Sequence, residues 1–213
     1  MNFKFLNAAI VSLVLSVSGF ANAGLITSID SGATTHDFIS SGFTAGPISE
    51  SGITYSSTHS SSAYGYESGY GFSDNGQWNG MDMLALNAQI GAMTIEFDTA
   101  VAEVLGFVNY IDTWSGSARI SVFDSSFSLL ETSALNFSTG GAANSGFDLG
   151  FKRNTNEIKY IQFIDQGIGV NNLRSFASTD VPEPSTDVPE PSTLAIFALG
   201  MIGLASRRFK KKS

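Results

Sequence analysis

The chain has 213 residues, 43% of them hydrophobic and only 14% charged, with a formal net charge of −8. From Gly24 to Asp180, five basic residues face sixteen acidic ones and leave that span at −11; this disfavours nucleic acid as a partner, because phosphate binding needs clustered Lys and Arg. The absence of cysteine excludes disulfides, thiol catalysis and zinc–thiolate sites.

The first 23 residues have the layout of a secretory signal peptide. Lys4 supplies a short positive start and residues 8–20 are apolar with a few serines. Ala21, Asn22 and Ala23 then satisfy the small-x-small cleavage rule, with Gly24 as the new first residue. The apolar run is too short to span a bilayer as a permanent anchor. Export through the general secretory machinery and trimming by signal peptidase are the expectation.

Residues 24–177 read as one secreted domain. Their periodicity is that of strands, in chain order 25–29, 53–58, 84–88, 93–98, 101–111, 119–122, 129–133, 147–151, 158–164 and 170–176. The alternation is clearest where Met93, Ile95 and Phe97 interleave with Thr94, Glu96 and Asp98. The span 101–111 is mostly apolar, as expected of a central strand. Asp124, Ser125 and Ser126 read as a hairpin connection, and 138–141 and 166–169 as loops. Eight to ten short strands predict an all-β fold, an antiparallel two-sheet sandwich of jelly-roll type. It is flanked by an N-terminal signal helix and a short C-terminal transmembrane helix. The expected core is Phe97, Val104, Phe107, Ile120, Val122, Leu149, Ile158, Ile161, Phe163 and Leu173.

Residues 56–82 are a Ser/Gly-rich stretch holding Tyr64, Tyr66, Tyr70, Phe72 and Trp78. They read as too polar to form a core alone. A loop packed on the sandwich edge is one expectation. The other is a glycan contact through Tyr64, Tyr66, Tyr70 and Trp78, since aromatic rings on adaptable loops supply contact area at low entropy cost. The same stretch places Asp74, Asn75, Asn79 and Asp82 within nine residues, with Gly76 and Gly80 between them. Oxygen ligands of this kind suit calcium, but the spacing is not that of an EF-hand and plain Asx-turns are the better account of it. No other cofactor is indicated.

Catalysis has little support. The two histidines, His36 and His59, lie in polar sequence, and no nucleophile elbow is present. A glycosidase needs two carboxylates; Glu50, Glu67, Asp74, Asp82, Glu96, Glu103 and Glu131 are available, but nothing selects a pair. The protein is expected not to be an enzyme, with a glycosidase as the remote alternative.

The C-terminus has three parts in fixed order. Val188, Pro189, Glu190, Pro191, Ser192 and Thr193 come first, then the apolar run LAIFALGMIGLA from Leu194, then Arg207, Arg208, Phe209 and three lysines. Proline fixes φ and holds such a motif extended, as a processing enzyme requires. The apolar segment 194–206 can insert as a helix, and the basic tail 207–213 stays cytoplasmic by the positive-inside rule. The fifteen residues between Pro191 and Arg207 reach about 22 Å as helix, short of a core of roughly 30 Å; that suits a temporary anchor. Residues 178–184 and 185–191 both read STDVPEP, a tandem duplication that forms a Pro-rich linker over 178–191. Only the second copy abuts the apolar segment, so Val188, Pro189, Glu190 and Pro191 are the expected working signal.

This tail, residues 188–213, resembles the PEP-CTERM sorting signal of Gram-negative bacteria, a tail also catalogued as an ice-binding-protein C-terminal domain without implying ice binding. The resemblance implies recognition by an exosortase, a membrane-embedded cysteine peptidase. It also implies loss of the tail after a transient stay in the inner membrane, then transfer to the cell surface or beyond, in an organism that makes exopolysaccharide. Residues 83–176 are in turn similar to ectodomains found before such tails, through the stretches MTIEFD, VLGFVNY, ISVFDS, NSGFDLGF and GVNNLRSF. Those domains look like carbohydrate-binding sandwiches; here Asn171 and Asn172 stand where an Asp-Asn pair is usual. The combined expectation is a non-catalytic surface or extracellular-matrix protein associated with exopolysaccharide or biofilm. A calcium-stabilised carbohydrate-binding module is the alternative.

Overall fold

A computed structural model of the chain describes residues 24–179. The chain divides into two units, Met1–Ser178 and Thr179–Ser213. The signal peptide expected at 1–23, the linker from residue 180 onward, the membrane helix at 194–206 and the basic tail lie outside the described residues. Among the described residues no helix is long and apolar enough to cross a membrane.

The described part is all β apart from one short 3-10 turn at Ser73–Asn75. Its strands are β1 (Gly24–Ile26), β2 (Thr34–Thr35), β3 (Gly42–Phe43), β4 (Ile48–Glu50), β5 (Ile53–Ser57), β6 (Ala63–Tyr66), β7 (Tyr70–Gly71) and β8 (Gln77–Trp78). They continue with β9 (Met83–Ala85), β10 (Ala92–Val101), β11 (Glu103–Asn109), β12 (Arg119–Phe123), β13 (Leu129–Ala134), β14 (Phe147–Lys152), β15 (Ile158–Ile164) and β16 (Gly169–Phe176). All ten expected strands are present. The span 101–111 is interrupted where β10 ends and β11 begins. The six additional strands run two to four residues each, too short for an alternation to show.

Every pairing is antiparallel, in two large sheets and one ribbon. The first sheet runs β1-β14-β11-β16-β9-β6-β3 with β2 on β16; the second runs β13-β12-β15-β10-β5-β4; β7 and β8 pair alone. Alternate side chains of both sheets enter one cluster. Val104, Val108, Phe151, Val170 and Leu84 come from the first sheet, and Tyr55, Ile95, Phe97, Ile120, Val122, Ile161 and Phe163 from the second. Eight of the ten expected core residues are buried; Phe107 and Leu149 are half-buried. The strands approach closely at Gly150, where a Cβ would fall on the Val104 carbonyl oxygen and 2.7 Å from Leu105 Cα.

The other face of the first sheet is also covered, and this explains where the aromatic-rich stretch goes. Along β11, β16 and β9, the row Val108–Val170–Leu84 faces the main core. The adjacent rows, carrying Phe107 with Met83 and Gly169 with Ala85, face the opposite way. Ala63, Ala85 and Gly169 are neighbours on these strands, and their small size leaves room for rings. Phe72 and Trp78 fill it: a Cβ on Gly169 would meet both. Tyr70, Phe72, Trp78, Met83 and Ile111 form a second buried cluster with Phe107 and Trp114 against it.

One row of backbone partners crosses the end of the first sheet. Gly24 pairs with Lys152, Lys152 with Glu103, and Glu103 with Phe176. The Glu103 carboxylate is buried, and it accepts from the Lys152 ammonium and from the Asp30 N–H.

Candidate functional site

The outward face of the second sheet carries a group of three aromatic rings in contact. Phe123 and Tyr160 are direct partners across β12 and β15, and Phe123 pairs with Leu129 on β13. They are out of phase with the inward Val122 and Ile161, so they point to solvent. The hairpin between β12 and β13 adds a third ring. Asp124 Oδ1 accepts from the N–H groups of Ser126 and Ser128, each at 2.8 Å, and Phe127 N–H donates to the Asp124 carbonyl at 3.0 Å. The turn holds Phe127 at φ 59° and lays its ring flat on Phe123, with centroids 4.7 Å apart and planes 12° apart. Tyr160 meets Phe127 edge-on at 5.0 Å. Phe127 is 49% and Leu129 57% exposed, so this platform is open.

Short polar side chains continue the same face. Ser121 shares a 2.8 Å hydrogen bond with Thr132, Gln162 donates to Thr94 at 2.9 Å, and Ser49 bonds Thr54 at 2.8 Å. Glu96 is paired with Lys159 at 3.2 Å. A flat apolar ring stack bordered by hydroxyls and an amide can stack on the C–H face of a sugar while neighbours meet its hydroxyls.

The rings expected to contact a glycan are placed differently. Tyr64 and Trp78 are fully buried and Tyr70 is 9% exposed, so none of these three offers a face to a sugar. The segment does not build this core alone: Met83, Ala85 and Ile111 from outside 56–82 complete the cluster. Trp78 donates Nε1–H to the Ser145 carbonyl at 2.7 Å and Tyr70 its hydroxyl to Gly167 O at 3.3 Å. Burial pushes the Tyr70 and Tyr64 phenols well above their ordinary value. Tyr66 is half-buried, 5.2 Å from the exposed Phe43 ring.

The four residues considered for calcium have separate roles. Asn75 is fully buried; its amide donates to Tyr110 O at 3.1 Å and accepts from Thr139 N–H at 3.0 Å. Asp74 is exposed, and Asn79 exchanges two hydrogen bonds with Asn144. Asp82 accepts from Phe38 N–H at 3.3 Å through one oxygen; the other is buried without a partner. Among the described residues no group of three or more His, Cys, Asp or Glu side chains could hold a metal ion.

His59 is tied to the Ile90 carbonyl at 2.8 Å. His36 is buried between the Ser51 carbonyl and the Ser175 hydroxyl. Of the carboxylates considered for glycoside cleavage, Glu103 and Glu96 carry lysine partners and Glu50 accepts two hydrogen bonds from Ser40.

The described chain is thus an antiparallel all-β domain with an open aromatic platform, and it precedes a C-terminal segment of another kind. That segment is a sorting signal: residues 187–211 match the family model of the PEP-CTERM protein-sorting motif, which marks exosortase-type sorting to the cell surface. The match takes in the second STDVPEP copy from Asp187 and leaves the first copy outside. No curated protein matches the chain.

Proposed function

We propose that the protein is an exported surface or matrix component that binds the exopolysaccharide of its own cell without catalysing a reaction. In this reading the two sheets around their shared core form a jelly-roll-like sandwich. The secretory machinery and signal peptidase deliver it, the inner membrane holds it transiently, and an exosortase releases its tail. Sorting to the surface puts the domain among secreted polymers, and the acidic body suits a neutral glycan rather than a polyanion. The observation that carries the binding reading is the Phe123–Phe127 stack with Tyr160 at its edge, held open by a hydrogen-bonded turn.

The test is calorimetric titration of the purified protein against the host's exopolysaccharide, with calcium and then with chelator. Saturable binding that weakens about tenfold in Phe127→Ala, the loss of one aromatic contact of roughly 1–1.5 kcal/mol, supports the platform. Loss on chelation supports the calcium-stabilised form. No binding, or binding by Phe127→Ala and Tyr160→Ala equal to that of the unaltered protein, overturns the reading.

A further inference from the structure

The two sheets part at one end of the domain around a cavity of about 210 Å³. Its walls include Thr34 of β2, Ser175 of β16, His36, Ser51 in the β4–β5 turn, and Asp98 and Thr99 of β10. The floor is polar but satisfied. The Ser51 carbonyl can only accept, so His36 Nδ1 carries the proton in their 2.7 Å bond, and Nε2 accepts from the Ser175 hydroxyl at 2.8 Å. The Phe97 ring lies 5.5 Å from the imidazole. The rim is different. Among the described residues, the side-chain hydroxyls of Thr34, Ser51 and Thr99 and the carboxylate of Asp98 have no hydrogen-bond partner within the protein. A hydrogen-bonded floor under a rim of polar groups that have no partner in the protein leaves donors and acceptors for a ligand.

The chemistry of the rim narrows the ligand. Asp98 repels anions. One carboxylate and three hydroxyls are too few strong ligands for a hard cation, which takes six to eight oxygens. An apolar ligand would leave the rim groups unpaired. A carboxylate can accept from two adjacent hydroxyls, and Ser and Thr hydroxyls both donate and accept, so the complementary group is a neutral polyol with vicinal hydroxyls. The volume is about seven times the ~30 Å³ share of one liquid water and below the roughly 300 Å³ of sites for larger ligands. It accommodates one ring, not an oligomer.

We infer that this cavity is a binding site for a single neutral sugar residue, free or at the end of a chain, held by Asp98, Thr99, Thr34 and Ser51 above the His36–Ser175 floor. The site is separate from the aromatic platform; it rests on the polysaccharide reading only for the source of the sugar.

The test is calorimetry on the purified full chain with glucose, galactose, mannose and N-acetylglucosamine, then with the exopolysaccharide before and after partial hydrolysis to create chain ends. The Asp98 side chain is exposed and bonds nothing in the fold, so Asp98→Asn leaves the domain intact. Saturable binding of at least one sugar, weakened about tenfold in Asp98→Asn and weakened in Thr99→Val, is the expected result. A gain in sites per mass of polymer on hydrolysis assigns the ligand to chain ends; binding of the monosaccharide with no such gain assigns it to free sugar, and either supports the site. If no sugar saturates, or if Asp98→Asn and Thr99→Val bind as the unaltered protein does, the inference fails, whatever the platform does. If a sugar binds and the intact polymer does not, the platform reading fails and the pocket stands.

Discussion

His36 Nε2 and Ser175 Oγ meet at 2.8 Å across 139 positions of sequence, with both residues buried. Burial lowers the His36 pKa; the Ser51 carbonyl and the charges of Asp37 and Asp98 oppose the shift without cancelling it. The unfolded chain therefore takes up this proton at a higher pH than the folded one. Stability is held above the unfolded value of about 6.5 and declines as pH falls below it toward the depressed folded value. Thermal melts between pH 5 and 8 should show this decline, and His36→Gln should flatten it. Equal slopes in both proteins would show that His36 does not couple folding to pH.

Trp78 lies inside the second core and Tyr66 packs half-buried against it. Trp78→Ala is expected to destabilise by about 3–5 kcal/mol, as large buried aromatics do, and half-buried Tyr66→Ala by much less. Asn75→Ala strands the Tyr110 carbonyl and the Thr139 N–H, a cost of about 2–4 kcal/mol. Urea melts measure all three. A Trp78→Ala variant as stable as the parent would mean that residues 56–82 do not pack as described.

Asp82 works against the fold at neutral pH. Burial raises its carboxyl pKa, and Glu67, Asp37 and Glu50 add to the shift against the Phe38 N–H. A carboxylate raised in the folded state costs stability while ionised, and that stability returns as pH falls through its folded pKa. Asp82→Asn keeps an oxygen for Phe38 and removes the charge. It should raise stability at pH 7 by a few tenths to ~1 kcal/mol, given solvent screening, with the gain shrinking toward pH 4. A loss at pH 7 in urea melts would contradict the assignment.

The duplicated motif gives a test of sorting. Protein recovered from the cell surface should have an intact mass that lacks Leu194 and all that follows. Deleting residues 185–191 moves the first STDVPEP copy against the apolar segment and should leave processing unchanged. Retention of the tail in all surface protein would refute cleavage; loss of processing on deletion would show that the two copies are not equivalent.

β10 was legible because its inward Met93, Ile95 and Phe97 alternate over five positions, and β15 because 158–164 is apolar on both sides but for Lys159 and Gln162. The short β2, β3, β7 and β8 are fixed by what they pair with, which no local pattern records. The burial of Trp78 and Phe72 depends on Ala63, Ala85 and Gly169, small residues from three strands that are neighbours only once the sheet forms. Composition alone made residues 56–82 look like a loop. The aromatic platform did leave a trace: Phe123 and Tyr160 occupy the wet phase of their strands, and Phe127 sits in a turn rich in Asp and Ser. The cavity at His36 left none, since its walls come from β2, β10, β16 and a turn.

The row Gly24–Lys152–Glu103–Phe176 sets the first residue of β1 and the last of β16 on one margin of one sheet. Three strand spacings separate them, roughly 14 Å. A body whose ends emerge on one margin behaves as a cassette: short linkers suffice to splice it into a surface loop of an unrelated host. It can also be permuted, its ends joined by a few glycines and new ones opened at residues 124–128, the hairpin tip that presents Phe127.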